Sequence, residues 1–150
     1  MTRLRLENVL QLIAPSDTLT NSYIMKSESN LNSAKILLNN DKLEESVSLA
    51  YYSMYHIVTA LLFKAGIKCE NHKASIFLLK ELFDVDNNNI SFAKTERIDK
   101  QYYTDFKLAK KDVIEAINVA EEFNKEIFDL ISKINSVKIK EYRERFMYLV

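Results

Sequence analysis

The chain has 150 residues, 47% of them hydrophobic and 28% charged, which fits one globular domain with a single core and leaves little room for two. It contains one glycine and one proline, a scarcity that argues against β-rich and α/β folds and excludes glycine-rich phosphate loops. Its 21 basic residues balance 21 acidic ones, so no overall positive field attracts nucleic acid, and any such contact depends on a local patch.

The same composition predicts a cytoplasmic protein that carries no cofactor and does not enter a membrane. Cys69 has no second cysteine to pair with, and the two histidines are too far apart for a zinc-ligand pattern. The segment 1–17 is amphipathic and lacks the pattern of a secretory signal. The longest apolar stretch, residues 57–63, is far below the roughly 20 residues of a membrane span.

The first half of the chain predicts three helices. The first covers about residues 3–13 and is closed by Ala14 and Pro15. Ser16 and Asp17 then supply N-cap chemistry for a second helix that runs to about residue 39.

The third predicted helix spans about residues 42–65 and ends at Gly66, a residue suited to the left-handed conformation that follows many helices. From Leu49 onward it is apolar or aromatic on every face, and a helix of that kind is buried. We therefore expect it at the centre of a bundle. It contains the run AYYSMYH, whose tyrosines are typical of a core with hydroxyl groups reaching its edge.

The second half predicts a short connecting helix over about 73–83, a polar loop over 84–89 and a weakly periodic segment over 91–106 that mixes loop with helix start. A long helix follows over about 106–135, and residues 137–150 form a helical extension that either docks on the bundle or covers a partner. The fold class is thus all-α, an up-and-down bundle of about five main helices with a short connecting helix, in one domain.

The long helix carries apolar residues in strict four-three spacing, as in antiparallel bundles. Asn124 interrupts this seam. An amide there either marks a boundary position or fixes register or oligomeric state by finding a partner, in the extreme its own copy across a two-fold axis. The seam consists of Val113, Ile117, Ala120, Asn124, Ile127, Ile131 and Ile134.

Several stretches, in order, resemble the HEPN superfamily (higher eukaryotes and prokaryotes nucleotide-binding domain), in its small stand-alone prokaryotic branch. They are SNLNSAKILLNN, AYYSMYH, ALLFKAGI with the HK that follows, ERIDKQYYTDF and AINVAEEFNKEI, and they cover about residues 27–130. The resemblance implies a helical bundle that usually forms a homodimer. It also implies a nucleotide or RNA ligand and a toxin–antitoxin type pair with a minimal nucleotidyltransferase.

Many members of this superfamily are metal-independent ribonucleases with an arginine followed, four to six residues later, by a histidine. Here Arg97 is followed at that spacing by Tyr102, Tyr103 and Thr104, and no histidine comes after His72. Tyrosine, with a pKa near 10, is a poor general base at neutral pH. Catalysis is therefore left open.

The resemblance thus leaves three readings of the function. The first is a dimeric binding or regulatory protein. The second is a ribonuclease with a diverged site made of Arg97, Tyr102 and His56. The third is a structural bundle subunit without a ligand. In paired systems of this family a tyrosine near the motif can be modified, which makes Tyr102 and Tyr103 candidates for modification.

Further candidates for ligand binding are Tyr52, Tyr103, His72 and Lys73. His72 and Lys73 open the connecting helix, where they either gather anions or simply cap the helix or face solvent. His56 is either a neutral core histidine or part of a cleft with Arg97 or Tyr103. Two basic stretches could contact RNA or be solvated surface: Lys138, Lys140, Arg143 and Arg145 in the tail, and Lys64, Lys68, His72 and Lys73.

Overall fold

The structure is a computed structural model that describes residues 9–102 and 108–150, excluding the side chains of residues 98–102. Within these residues six helices form a bundle beside one two-stranded sheet, so the predicted all-α fold is confirmed. The elements in chain order are β1 (Leu10–Leu12), α1 (Asp17–Asn39), α2 (Leu43–Lys64), β2 (Ile67–Cys69), α3 (His72–Glu81), α4 (Asn88–Tyr102), α5 (Lys110–Lys133) and α6 (Ser136–Leu149).

The small sheet corrects the prediction of a helix over residues 3–13. Leu10–Leu12 is extended and pairs antiparallel with Ile67–Cys69, and residues 1–8 lie outside the described part of the chain. The pairing continues past the strand, where the Ile13 amide donates to the Gly66 carbonyl at 2.8 Å. Backbone hydrogen bonding to a distant segment therefore decides the conformation here, not the amphipathic pattern of the segment itself.

Helices α1 and α2 form a tight antiparallel pair. The Ser16 hydroxyl accepts a hydrogen bond from the Leu19 amide at 3.1 Å and so caps α1 as predicted. Asp41 turns the chain between the helices with a positive φ of 57°. Acidic Glu44 and Glu45 lie in the first turn of α2, where they favour the positive end of the helix dipole.

Helix α2 is the centre of the bundle, as predicted. Nearly every residue from 46 to 63 is buried against α1, α4 and α5. By length and composition alone α2 is also apolar enough to cross a membrane, but 72% of its most apolar window is buried inside the bundle. Packing on neighbouring helices thus accounts for its hydrophobicity.

Helix α5 buries its predicted seam against α2, and the amide nitrogen of Asn124 in this seam has a partner within the same chain. The Asn124 Nδ2 donates to the Ser53 hydroxyl at 3.1 Å, and Ser53 in turn donates to the Ala50 carbonyl. The Ser27 hydroxyl of α1 donates to the Ser53 carbonyl at 2.6 Å. Asn124 therefore joins a polar contact among α1, α2 and α5, which fixes how these three helices meet.

Helix α6 docks on the bundle through two arginines. The Arg143 Nη1 donates to the carbonyls of Ile13, Ala65 and Gly66 at 2.7, 3.1 and 3.0 Å. The Arg145 Nη1 donates to the Leu82 carbonyl at 2.8 Å and to the Asp84 carboxylate at 3.0 Å. Both arginines of the basic tail are thus used to attach α6.

Gly66 is required at this junction for two reasons. Its φ of +75° is one that residues with a side chain rarely adopt. A Cβ atom there would also lie 2.1 Å from the Arg143 Nη1 and 2.5 Å from the Ile13 oxygen. The only glycine of the sequence therefore ends α2 and leaves room for the arginine that holds α6.

Candidate functional site

Four aromatic or imidazole side chains of α2 turn toward one side of the bundle. Tyr51 and Tyr55 are one turn apart and stack with ring centroids 6.4 Å apart, while Tyr52 and His56 repeat this one residue later at 6.2 Å. Tyr51 and Tyr55 are 1% and 9% exposed, whereas Tyr52 and His56 are half-buried. The buried pair supports the half-buried pair, and only the latter reaches solvent.

His72, the first residue of α3, packs on this group of rings. Its imidazole stacks on Tyr55 with centroids 3.7 Å apart and an interplanar angle of 13°. Its Nδ1 lies 2.6 Å from the Tyr51 hydroxyl. The preceding Asn71, not His72, caps α3, because its side chain accepts from the Ala74 amide at 2.8 Å. The imidazole is therefore free of any capping role.

Arg97 of α4 also contacts these rings. Its Nη1 donates to the Tyr52 hydroxyl at 3.1 Å. Its Cζ lies 5.2 Å from the centroid of the Tyr52 ring and 5.4 Å from that of Tyr51, which is cation–π range. We call Tyr51, Tyr52, His72 and Arg97 the arginine cluster.

The second imidazole belongs to a neighbouring group on α1 and α2. The His56 ring centroid lies 5.8 Å from that of Tyr23, which stacks on Phe63 at 5.4 Å. The Lys26 Nζ lies above the Tyr23 ring, 5.0 Å from its centroid. The His56 Nδ1 is buried and has no hydrogen-bond partner among the described residues. We call Tyr23, Lys26 and His56 the lysine cluster.

Burial and nearby positive charge both lower the pKa values of the two imidazoles. Burial lowers the pKa of His72, and the positive charges of Arg97 and Lys94 lower it further. Burial also lowers the pKa of His56, with smaller contributions from Lys26 and His72. Both imidazoles are therefore neutral at pH 7, and the charged groups named as acting on them are basic residues.

The tyrosine hydroxyl groups keep their protons. Burial raises the pKa of Tyr51 well above its ordinary value of 10, and burial raises the pKa of Tyr55 as well. His72 is the one partner of the Tyr51 hydroxyl in the described part of the chain, so the phenol proton points to the His72 Nδ1. In neutral His72 the ring proton is then on Nε2, which makes Nε2 a hydrogen-bond donor.

The residues singled out from the sequence separate into three groups. Tyr52, His72 and Arg97 meet in the arginine cluster, and His56 lies in the neighbouring lysine cluster. Lys73 is exposed and contacts neither cluster in the described hydrogen bonds and ion pairs. The side chain of Tyr102 and all of Tyr103 lie outside the described residues, so their proposed roles stay predictions.

Sequence reasoning did not assign Tyr51, Tyr23 or Lys26 to a site. The sequence pattern indicates a core position for Tyr51. Its side chain is indeed buried, but its hydroxyl group also forms a hydrogen bond with the His72 imidazole. Helical spacing was the available signal, because Tyr51 lies one turn before Tyr55. Tyr23 and Lys26 lie on a different helix, and only packing brings them to His56.

Two other features of this region concern metal binding and a neighbouring cavity. Among the described side chains, no three His, Cys, Asp or Glu residues come together in a way that could hold a metal ion. A cavity of about 330 Å³ between α2, α4 and α5 meets the arginine cluster only at the wall formed by Tyr51. That cavity is lined mainly by apolar side chains, among them Val47, Ala50, Met54, Ala93 and Val119.

Comparison with known proteins points to one family. The model of the HEPN domain matches residues 20–131, which include α1 to α5 almost completely. UPF0332 protein PH1297 of Pyrococcus horikoshii is 39% identical to the chain over 82 residues. The matched part amounts to 55% of this chain and 54% of that protein, so the chain spans about half the length of this curated relative.

Proposed function

Because the chain belongs to the HEPN domain family, we propose that it is a dimeric binding protein that holds RNA by a phosphate at the arginine cluster. The observation that carries this proposal is the position of Arg97, whose guanidinium lies over Tyr51 and Tyr52 beside His72. Guanidinium groups match phosphate geometry, and the half-buried Tyr52 ring can stack on an unpaired base. The cluster thus combines the two contacts that single-stranded RNA offers.

The electrostatic environment supports an anionic ligand. The charges that act most strongly on His72 are those of Arg97 and Lys94, and both are positive. A phosphate placed beside Arg97 would be attracted by both of these positive charges. The same phosphate would raise the pKa of His72, so binding should take up protons near neutral pH.

The hydrogen bond from Tyr51 favours binding over base catalysis. With the His72 proton on Nε2, the imidazole meets a phosphate oxygen as a donor. A general base acting through the same nitrogen would need the other tautomer, which the Tyr51 hydroxyl disfavours. Binding therefore uses the tautomer that the surrounding side chains stabilise.

Binding can be measured by fluorescence anisotropy with a 5′-labelled oligo(U) of six nucleotides. We expect Arg97→Gln to weaken binding at least tenfold, since a charge-assisted contact is worth about 1.5–3 kcal/mol. Lys133→Gln is the matched control, because it removes one positive charge from an exposed position on α5, away from both clusters. Equal affinities of the Arg97 and Lys133 variants would contradict the proposal.

A second candidate is a metal-independent ribonuclease, favoured by the presence of a histidine in the same cluster as Arg97. Although no histidine follows Arg97 in the sequence, His72 reaches the cluster from α3. In this reaction His72, in the tautomer with an unprotonated Nε2, would accept the proton of the attacking 2′-hydroxyl group, and the guanidinium would stabilise the negative charge on the phosphate as the 5′-oxygen leaves. Incubation of mixed RNA in the presence of a chelator tests this. Cleavage should disappear in Arg97→Ala and in His72→Asn, and cleavage that survives either change would exclude it.

The homodimer and a nucleotidyltransferase partner are proposed from the family alone. Light scattering over a range of concentrations tests the first, and a concentration-independent monomer would refute it. Co-purification with a nucleotidyltransferase encoded beside the gene tests the second. If neither RNA nor a partner protein binds, the third reading remains, a structural bundle subunit.

A further inference from the structure

The geometry points to a second phosphate subsite, formed by Lys26 and His56 beside the Tyr23 ring, which together with the arginine cluster makes a track for at least two successive nucleotides of single-stranded RNA. This inference rests on the proposed function and deepens it, because it distinguishes an oligonucleotide from a mononucleotide as the ligand. No residue of the lysine cluster belongs to the arginine cluster, so the two can be tested separately.

The two clusters are connected by Tyr52. Its ring centroid lies 5.2 Å from the Arg97 Cζ and 6.2 Å from the His56 ring centroid. Tyr52 is half-buried, so part of its surface is open to a ligand. A base that contacts this ring would have a cationic group on one side and an imidazole on the other, which matches the alternation of base and phosphate along a single strand.

Lys26 is available for a phosphate. Its side chain is exposed, and its ammonium group lies above the Tyr23 ring instead of pairing with a carboxylate in the described part of the chain. Other exposed lysines do form such pairs, for example Lys35 with Glu121 and Lys138 with Glu141. A lysine held by a ring face keeps its full charge for an incoming anion.

His56 contributes a second donor to the same subsite. Its Nδ1 is enclosed by protein and meets no partner among the described atoms, so a bound phosphate has to be met by Nε2. The described ring contacts and charges that act on this imidazole come from Tyr23 and Lys26 of α1, Tyr52 and Tyr55 of α2, and His72 of α3. None of these described groups is a carboxylate that would repel a phosphate.

The spacing of aromatic and basic groups favours single-stranded RNA over a duplex. Tyr23 and Tyr52 are both half-buried rings beside a cation, and a ring can stack only on a base that is not paired. A duplex would present its phosphates to Lys26 and Arg97 but would leave both rings without a base. We therefore expect the protein to prefer an unpaired strand.

The experiment compares uridine 5′-monophosphate with 5′-phosphorylated oligo(U) of two, four and six nucleotides by isothermal titration calorimetry. We expect the affinity to rise at least tenfold from the monophosphate to the tetranucleotide. Lys26→Gln should remove most of this increase and leave the affinity for the monophosphate within about twofold, whereas Lys133→Gln should change neither. A duplex of the same length should bind more weakly than the single strand.

The outcomes separate this inference from the function on which it rests. If the monophosphate binds in an Arg97-dependent way but the oligonucleotides bind no more tightly, the second subsite is refuted and the proposed function stands. If Lys26→Gln and Lys133→Gln weaken oligonucleotide binding equally, the subsite is refuted as well. If neither ligand binds the folded protein, both the subsite and the proposed function fall. Circular dichroism of each variant establishes that it is folded.

Discussion

Arg143 and Arg97 are both partly buried arginines, yet the groups that they contact are different. Arg143 donates to three backbone carbonyls at the junction of β1, α2 and α6, and these acceptors belong to the fold. Arg97 lies over two tyrosine rings and bonds the Tyr52 hydroxyl at a partly open surface. The main-chain partners of Arg143 hold elements together, whereas the aromatic faces beside Arg97 are where we propose that a phosphate binds.

The largest effect should come from the glycine beside Arg143. Gly66→Ala forces a Cβ into a left-handed position and against the Arg143 Nη1, so we expect the free energy of unfolding to fall by about 3 kcal/mol. Urea denaturation measures this. In an Arg143→Met background Gly66→Ala should cost less, because one of the two colliding groups is gone while the Ile13 oxygen stays in place. Additive losses would show that the contact with Arg143 does not matter.

Replacing each arginine separately by methionine compares their contributions to stability and to binding. Arg143→Met leaves three carbonyls without their shared donor and should lower the free energy of unfolding by about 2 kcal/mol. Arg97→Met should cost only about 1 kcal/mol, since its ring contacts and its hydrogen bond to the Tyr52 hydroxyl lie at a partly exposed site. Oligo(U) binding should fall more in Arg97→Met than in Arg143→Met. A variant of Arg97 that is as unstable as that of Arg143 would contradict the distinction.

The two histidines should also differ. His72→Phe leaves the buried Tyr51 hydroxyl without its partner and should destabilise the fold by about 1–2 kcal/mol. His56→Phe removes a buried nitrogen that has no partner among the described residues, so its stability should lie within about 0.5 kcal/mol of the unchanged protein. Thermal unfolding of both variants at pH 8, where both imidazoles are neutral, is the measurement. Equal losses would show that the hydrogen bond from Tyr51 adds nothing.

The smallest effect should be a dependence of stability on pH. The pKa values of both imidazoles are lowered in the folded chain, so the unfolded chain binds more protons below its ordinary histidine pKa of about 6.5. The contribution of the two imidazoles to the free energy of unfolding is therefore complete above that pH and is lost as the pH falls below it. The difference between the urea midpoints at pH 7.5 and pH 5.5 should be smaller in a double variant carrying His56→Phe and His72→Phe than in the unchanged protein. An unchanged difference would contradict this cause.

Much of the fold could be predicted from the sequence because its signals are local. Ser16 caps α1, Gly66 ends α2, and the four-three seam of α5 is buried as its spacing indicates. The β1 segment could not be predicted in this way, since its conformation depends on a partner more than 50 residues further along the chain. Helix α4 begins at Asn88, within the predicted polar loop, and its weak periodicity concealed its extent.

The candidate site could be predicted only in part, because contacts between different helices are not local signals. The sequence indicates Tyr52, His72 and Arg97 individually, and the family pattern points to the residues that follow Arg97. The contact of His72 with Tyr51 arises from the packing of α3 on α2, which no motif spacing encodes. In the same way, Lys26 and His56 come from different helices, and only their packing makes them neighbours.

The proposed function depends on a phosphate that binds beside His72 and Arg97. This binding is tested most directly by following the ring signals of the two histidines in NMR spectra while uridine 5′-monophosphate is added over a range of pH. The chain has only two histidines, and His56→Phe assigns them. We predict that the ligand raises the pKa of His72 and that Arg97→Gln abolishes this change. A His72 signal that titrates identically with and without saturating ligand would contradict the claim.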